Sequence, residues 1–327
     1  MTKTTGPFST LRMAACLFAV ITCYSSSFAT IGIDDAIATL DQEAAFSFAI
    51  MSDHKGLSPV DSKRFARMEL WIEESHDAFV VGLGDHLKIN RPNTFLEFLE
   101  KNRWWHDNFY PNVADGENEF YGGAQDSWGM GKPILDHVGL DQRPDVRFGE
   151  TGCDYHVRIP VGEFTVHLIQ LHFPDHPRDD KLSFRKASKR FLENCLEGIE
   201  KGPKDIVVTA AHSISGFWIN QLSKELKELL AEKCDLMLSA TTHHFERKKL
   251  SEYGDRGALM INTGSVTYPD SDIKGSLPGY VQVHVLENPL RLDVKYINVD
   301  LENRAMPSRE YAYTKTVGGA TRYTLPE

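Results

Sequence analysis

Short apolar runs alternate with stretches of helical period along most of this chain. Residues 46–51, 78–83, 205–211 and 235–239 are runs of four to eight mostly apolar residues, the signature of strands buried in a sheet. Between and around them, apolar positions recur near every 3.6 residues over 61–76, 93–103, 183–200 and 220–232, which predicts helices. A hairpin is predicted over 154–161 and 164–171, turning at Val161-Gly162. Three later runs, 258–265, 280–287 and 290–300, predict antiparallel strands that close a second sheet. The aromatic stretch WWHDNFYP (104–111) is expected in core and loop, and the Gly-rich 122–133 as a loop beside the functional site. With no internal repeat or low-complexity linker, one α/β domain over 30–303 is expected, followed by a polar tail at 304–327.

In mostly parallel sheets, ligands sit outside the carboxyl ends of the strands. Five polar clusters fall at that position here: Asp53 in FAIMSDHKG, Asp85 in FVVGLGDH, Asn118 in DGENEFYGG, His212 in IVVTAAHS and His243 in LMLSATTHHFER. Taken singly, Asp53 and Asp85 suit a helix N-cap, and His212 suits a hydrogen-bonded core histidine. Five such groups at one topological place point instead to a polynuclear metal site. Carboxylates, an amide oxygen and imidazoles form a mixed oxygen and nitrogen set suited to Zn, Fe or Mn rather than Ca. In VHLIQLH, His172 at the carboxyl end is a substrate-binding candidate, while His167 is expected lower in the sheet.

The order and content of these clusters resemble the calcineurin-like metallophosphoesterases, in particular purple-acid-phosphatase-like members. SDHKG (52–56), LGDH (83–86), DGENEFYG (115–122), AAHS (210–213) and SATTHHFER (239–247) stand for that family's five motifs in order, and the likeness spans about residues 45 to 300. The resemblance implies a four-layer α/β/β/α sandwich of two mixed β-sheets flanked by helices. It implies metal ligands at Asp53, Asp85, Asn118, His212 and His243, with Asp85 bridging, and one or two transition metal ions per chain. It also implies a small-molecule phosphoester as substrate. Two family imidazoles are replaced, by Lys55 and by Thr241, and Glu119 falls where a third is expected. His54 and His244 stand next to the gaps, so His54, Lys55 and Glu119 are the catalytic candidates and His244 a substrate-binding one. Lys55 reads either as a solvated side chain or as a cation beside a phosphate. The expected function is an exported metal-dependent phosphoester hydrolase; the alternative is a weak or inactive relative that binds a phosphorylated or glycan-like ligand.

Composition narrows the partners. The 327 residues are 41% hydrophobic and 25% charged, as in an ordinary globular protein with an ample core. Lys3 and Arg12 precede the apolar MAACLFAVITCY (13–24), and Ser27 and Ala29 offer a small-residue cleavage site, so 1–29 reads as a signal peptide. Export to a periplasmic or extracellular space follows, with no membrane span after removal. The net charge is −10, and loss of Lys3 and Arg12 makes it −12. So acidic a chain carries no electrostatic footprint for a nucleic-acid backbone. Cys153, Cys195 and Cys234 are odd in number and widely spaced, which argues against a disulfide framework or zinc knuckle.

Overall fold

A computed structural model describes residues 44–54, 61–87, 93–113, 132–172, 179–212, 222–240, 242–243, 245–249, 258–267, 277–287, 290–300 and 313–316. The apolar runs become strands because each offers both of its faces to a neighbouring layer. The central strand β7 (Asp205–Ala211) shows how. Ile206, Val208 and Ala210 enter one hydrophobic core, while the alternate Val207 and Ala211 enter another. The period-two alternation of a strand thus serves two layers at once.

Sheet A has the order β13-β12-β11-β1-β2-β3, with β1 Ala44–Met51, β2 Val80–Gly82, β3 Phe109–Pro111, β11 Gly279–Leu286, β12 Arg291–Asn298 and β13 Tyr313–Thr316. β1, β2 and β3 run parallel, while β11 and β12 continue from β1 antiparallel. Sheet B has the order β4-β5-β6-β7-β8-β10-β9, with β4 Val146–Phe148, β5 Tyr155–Val161, β6 Phe164–Leu171, β8 Leu236–Ser239, β9 Phe245–Lys249 and β10 Leu259–Thr263. β6, β7, β8 and β10 are parallel, and the β5–β6 hairpin forms at the predicted turn.

Helices cover the outer faces. α1 (Asp61–Glu74) sends Phe65, Met68 and Ile72 into the main core, joined by Phe95 and Leu99 of α2 (Asn93–Lys101) and Trp105 of α3 (Arg103–Asn108). After the short α4 (Lys132–His137), α5 (Asp179–Gly198) and α6 (Lys224–Lys233) lay Leu192, Leu196, Leu226 and Leu230 over the outer face of sheet B. Ser223 caps α6, its hydroxyl oxygen accepting from Leu226 N–H at 3.1 Å. The result is the expected four-layer α/β/β/α sandwich of two mixed sheets. No helix among the described residues is long and apolar enough to cross a membrane.

Three expectations shift. The run at 258–265 does not pair with 280–287 and 290–300; it becomes β10 beside β8, whereas the other two extend sheet A from β1. WWHDNFYP contributes core, with Trp105 and Phe109 fully buried, but also nearly all of the short helix Arg103–Asn108 and the three-residue β3. Within the stretch read as a polar tail, Tyr313–Thr316 pairs with β12.

Buried polar side chains fasten the two sheets together. Gln170 of β6 donates its amide hydrogens to the carbonyls of Gly82 at 3.2 Å and Tyr110 at 3.0 Å. Asn112, just past β3, donates to Gln170 Oε1 at 2.9 Å and to Leu171 O at 3.0 Å. Both amides are therefore oriented by backbone carbonyls. Tyr155 O–H adds a bond to Pro111 O at 2.9 Å. Leucine at position 170 would remove the donors to both carbonyls and leave one Asn112 amide hydrogen without its acceptor, although Gly82 O keeps the Asn112 N–H at 2.7 Å. Gln170→Leu is expected to cost on the order of 3 kcal/mol, read as a lower urea unfolding midpoint with an unchanged m-value.

Candidate metal centre

Both sheets turn the carboxyl ends of their parallel strands to the same edge. β1 runs into Asp53, β2 into Leu83-Gly84-Asp85, and β7 into His212. One carboxylate oxygen from each aspartate and one His212 nitrogen all lie within 4.8 Å of one another. His212 Nε2 is 4.0 Å from Asp53 Oδ1 and 3.9 Å from Asp85 Oδ2. His243, from the loop after β8, brings its Nε2 to 3.1 Å from Asp53 Oδ1. Asp53 is fully buried and Asp85 and His212 nearly so, whereas the His243 side chain is 28% exposed. Solvent reaches the cluster on the His243 side.

The His212 tautomer is set by its surroundings. Nδ1 lies 2.7 Å from the carbonyl oxygen of Leu83, which can only accept, so Nδ1 carries the proton. The lone pair of Nε2 is then directed at the two carboxylates. A metal-ligating histidine has this arrangement, with its other ring N–H donated to a carbonyl. Ligand atoms held about 2.0–2.2 Å from one ion stand roughly 3–4 Å apart, so Asp53, Asp85 and His212 fit a transition ion in both chemistry and spacing.

The backbone is strained at this cluster. Four non-glycine residues among those described have positive φ: Asp53 (53°), Asp85 (54°), His243 (56°) and His76 (54°). His76 simply ends α1 in the left-handed turn common after helices. The other three are the cluster itself. Left-handed backbone costs about 1–2 kcal/mol per residue and persists only where the surroundings over-determine it. Here they do. Asp53 N–H donates to Gly84 O at 3.1 Å, and Asp53 O accepts from the Ser265 hydroxyl at 2.8 Å and the Thr267 hydroxyl at 3.3 Å. Leu83 N–H donates to Met51 O at 2.9 Å. Gly84 at φ 101° needs the freedom of glycine, and a Cβ on Gly82 would meet the His86 ring and Phe109, each at 2.5 Å.

Asp53, Asp85, His212 and His243 are thus brought together. His54 is not, which corrects its reading as a catalytic or replacement-ligand imidazole. Its ring leaves the chain away from the carboxylates and is fully buried against Phe65, Phe95 and His86. Burial among apolar rings lowers its pKa to about 3, against the pull of Asp53, and burial likewise holds that of His86 well below the ordinary range. Both rings are neutral. His172 stands beside His212, because Leu171 pairs with Ala211, and its Nδ1–H donates to Val113 O at 2.9 Å. It is fully enclosed. Lys55, Asn118, Glu119 and His244 lie outside the described residues.

Residues not singled out from the sequence hold the site in shape: Asn112, Gln170, His86, Ser265 and Thr267. The one signal that pointed to His86 was repetition, since Asp53-His54 and Asp85-His86 are the same dipeptide at two strand ends. Asn112 is the amide that the structure sets at the end of β3. It was obscured because three residues are too few to show a period.

No protein-family model matches the chain, and no curated protein matches it. Solved structures do. GAP50 of Plasmodium, described as the anchor in the inner membrane complex, superposes with a TM-score of 0.51 at 14% identity, over 83% of this chain and 88% of that one. A predicted phosphoesterase from Streptococcus pneumoniae gives 0.34 at 14% identity, over 86% and 98% of the two chains. The phosphoesterase YfcE from E. coli gives 0.36 at 11%, over 80% and 96%. The likeness to GAP50 is one of fold; the other two superpose too loosely to carry an argument.

Beneath the cluster, Asp154 accepts from the hydroxyls of Thr151 and Ser188 and from His172 N–H, at 2.6, 2.8 and 2.6 Å. Burial nevertheless raises its pKa from 3.8 to about 6, because desolvation outweighs those donors. With a raised carboxyl pKa the folded state binds the extra proton, so this contribution to stability is present below pH 4 and lost as pH rises through 6. The loss is on the order of 3 kcal/mol. Stability measured by urea unfolding at pH 4 and pH 6.5 is expected to show a pH-dependent fall in the wild type that is reduced in Asp154→Asn.

Proposed function

We propose that this protein is an exported metal-dependent phosphoester hydrolase. The observation that carries the reading is the convergence of Asp53, Asp85 and His212 at the carboxyl ends of strands from both sheets, with His212 Nδ1 bonded to Leu83 O and Nε2 facing the carboxylates. The motif order shared with the calcineurin-like metallophosphoesterases supports it, as does the four-layer fold. Export rests on the N-terminal pattern of Lys3, Arg12 and the apolar 13–24.

Asp53, Asp85 and His212 would hold the ion, and His243 would join through Asp53 or bind directly. When bound, a Zn, Fe or Mn ion supplies Lewis acidity toward phosphoryl oxygens. The chain's own groups do the rest. Leu83 O keeps the proton on His212 Nδ1, the buried aspartates exclude competing water, and His243 at the exposed rim faces the arriving substrate. A small phosphoester suits a chain whose net charge of −10 disfavours a long polyanion.

A second reading has a specific observation behind it. The imidazole of His54 faces the aromatic core, so the gap left by Lys55 is not refilled from that side. A site short of one ligand binds its second ion weakly, which favours a ligand-binding protein of low turnover.

Metal content and titration calorimetry with Mn and Zn, run beside p-nitrophenyl phosphate hydrolysis, separate the two. The hydrolase reading expects tight metal uptake with metal-dependent turnover; uptake of one equivalent with negligible turnover supports the second reading. His212→Ala is expected to weaken metal binding by at least ~10-fold, and Asp85→Ala to abolish it. Wild-type affinity in both variants would mean that the cluster is not a metal site.

A further inference from the structure

We propose that His54 and His86 are positioning residues, an interlocked imidazole pair that fixes the left-handed turns at Asp53 and Asp85 and so the spacing of their carboxylates. This role rests on the metal-site reading above. Its basis is a closed circuit of bonds. Asp53 N–H donates to Gly84 O at 3.1 Å, and Gly84 N–H donates to His86 Nε2 at 3.0 Å. A backbone N–H can only donate, so His86 Nε2 is the bare nitrogen and its proton sits on Nδ1. That proton faces His54 Nδ1 across 3.4 Å, a long but directed bond. The peptide bonds Asp53-His54, Gly84-Asp85 and Asp85-His86 close the ring. Both strained aspartates lie inside it.

Packing alone does not account for imidazoles here. The pocket is a box of Phe65, Phe95 and Phe109, with ring centroids 4.5–5.8 Å from one or other histidine. His54 Nε2 is buried with no hydrogen-bond partner. A phenylalanine, though somewhat bulkier, would fill the apolar pocket without that cost, on the order of 1–3 kcal/mol for a buried polar group left unsatisfied. What an imidazole adds, and a phenyl ring cannot, is the link between the β1 and β2 turns.

The proposal separates stability from metal affinity. His54→Phe keeps the box filled and cuts the circuit by removing the His54 end of the 3.4 Å link to His86. His54→Asn returns an oxygen acceptor near the Nδ1 position but underfills the box. His54→Phe is expected to melt within a few degrees of wild type yet bind Co(II) at least ~10-fold more weakly, with an altered visible spectrum. His54→Asn is expected to melt lower yet keep Co(II) affinity within ~3-fold and the wild-type spectrum, which is less than the loss for a severed support. Wild-type affinity and spectrum in His54→Phe would overturn the positioning role, as would affinity losses in both variants that simply track their melting temperatures. Wild-type protein that takes up no Co(II) would overturn the metal reading, and this role with it.

Discussion

The 2.7 Å bond from His212 Nδ1 to the carbonyl of Leu83 is the contact on which the site depends. It crosses from sheet B to sheet A at the edge where both sheets end. One bond does two things there. It fixes the register of the two carboxyl edges, and in the neutral ring it leaves Nε2 as the accepting nitrogen. Were the tautomer reversed, Nε2 would offer a proton to Asp53 and Asp85, and the three groups would form an ordinary hydrogen-bonded cluster. The amide bridge of Gln170 and Asn112 lies behind this contact, one strand over, and limits how far the sheets can slide.

Strain and polarity are concentrated on the same side of the molecule. Three cluster residues hold left-handed backbone, and the groups that enforce it are buried hydroxyls and backbone bonds contributed by distant segments. Ser265 and Thr267 belong to the end of β10, and reach Asp53 only because β10 joined sheet B in parallel and directs its own carboxyl end to this edge. The placement of β10 beside β8 is therefore part of the site, although β10 itself supplies none of Asp53, Asp85, His212 and His243.

The sequence made the layers and most strand ends readable because their periods are long and clean. β7 forms over the predicted 205–211, and the hairpin turns where Gly162 allows it. What could not be read was local in sequence but decided by distant contacts. β10, β11 and β12 are similar apolar runs, and the partner of each depends on which edge remains open. β3 is three residues long, so Asn112 did not stand out as a strand-end amide. His54 follows Asp53 directly, yet the two side chains leave the end of β1 on different sides, so one enters the cluster and the other the core. Periodicity identifies where a strand ends. It does not say which way the turn after it points.

That distinction bears on how the chain departs from the motifs it resembles. A replaced imidazole would usually suggest decay of the site. In this protein, the imidazole displaced by one position has a partner, His86, at the equivalent place after the second aspartate. Two carboxylates held close together in a buried space repel each other, and a cation between them removes that repulsion. The scaffold nevertheless spends strained backbone, hydroxyls and a neutral imidazole pair on keeping them close. The metal-site reading proposed above accounts for both turns, because a cation between Asp53 and Asp85 would remove that repulsion.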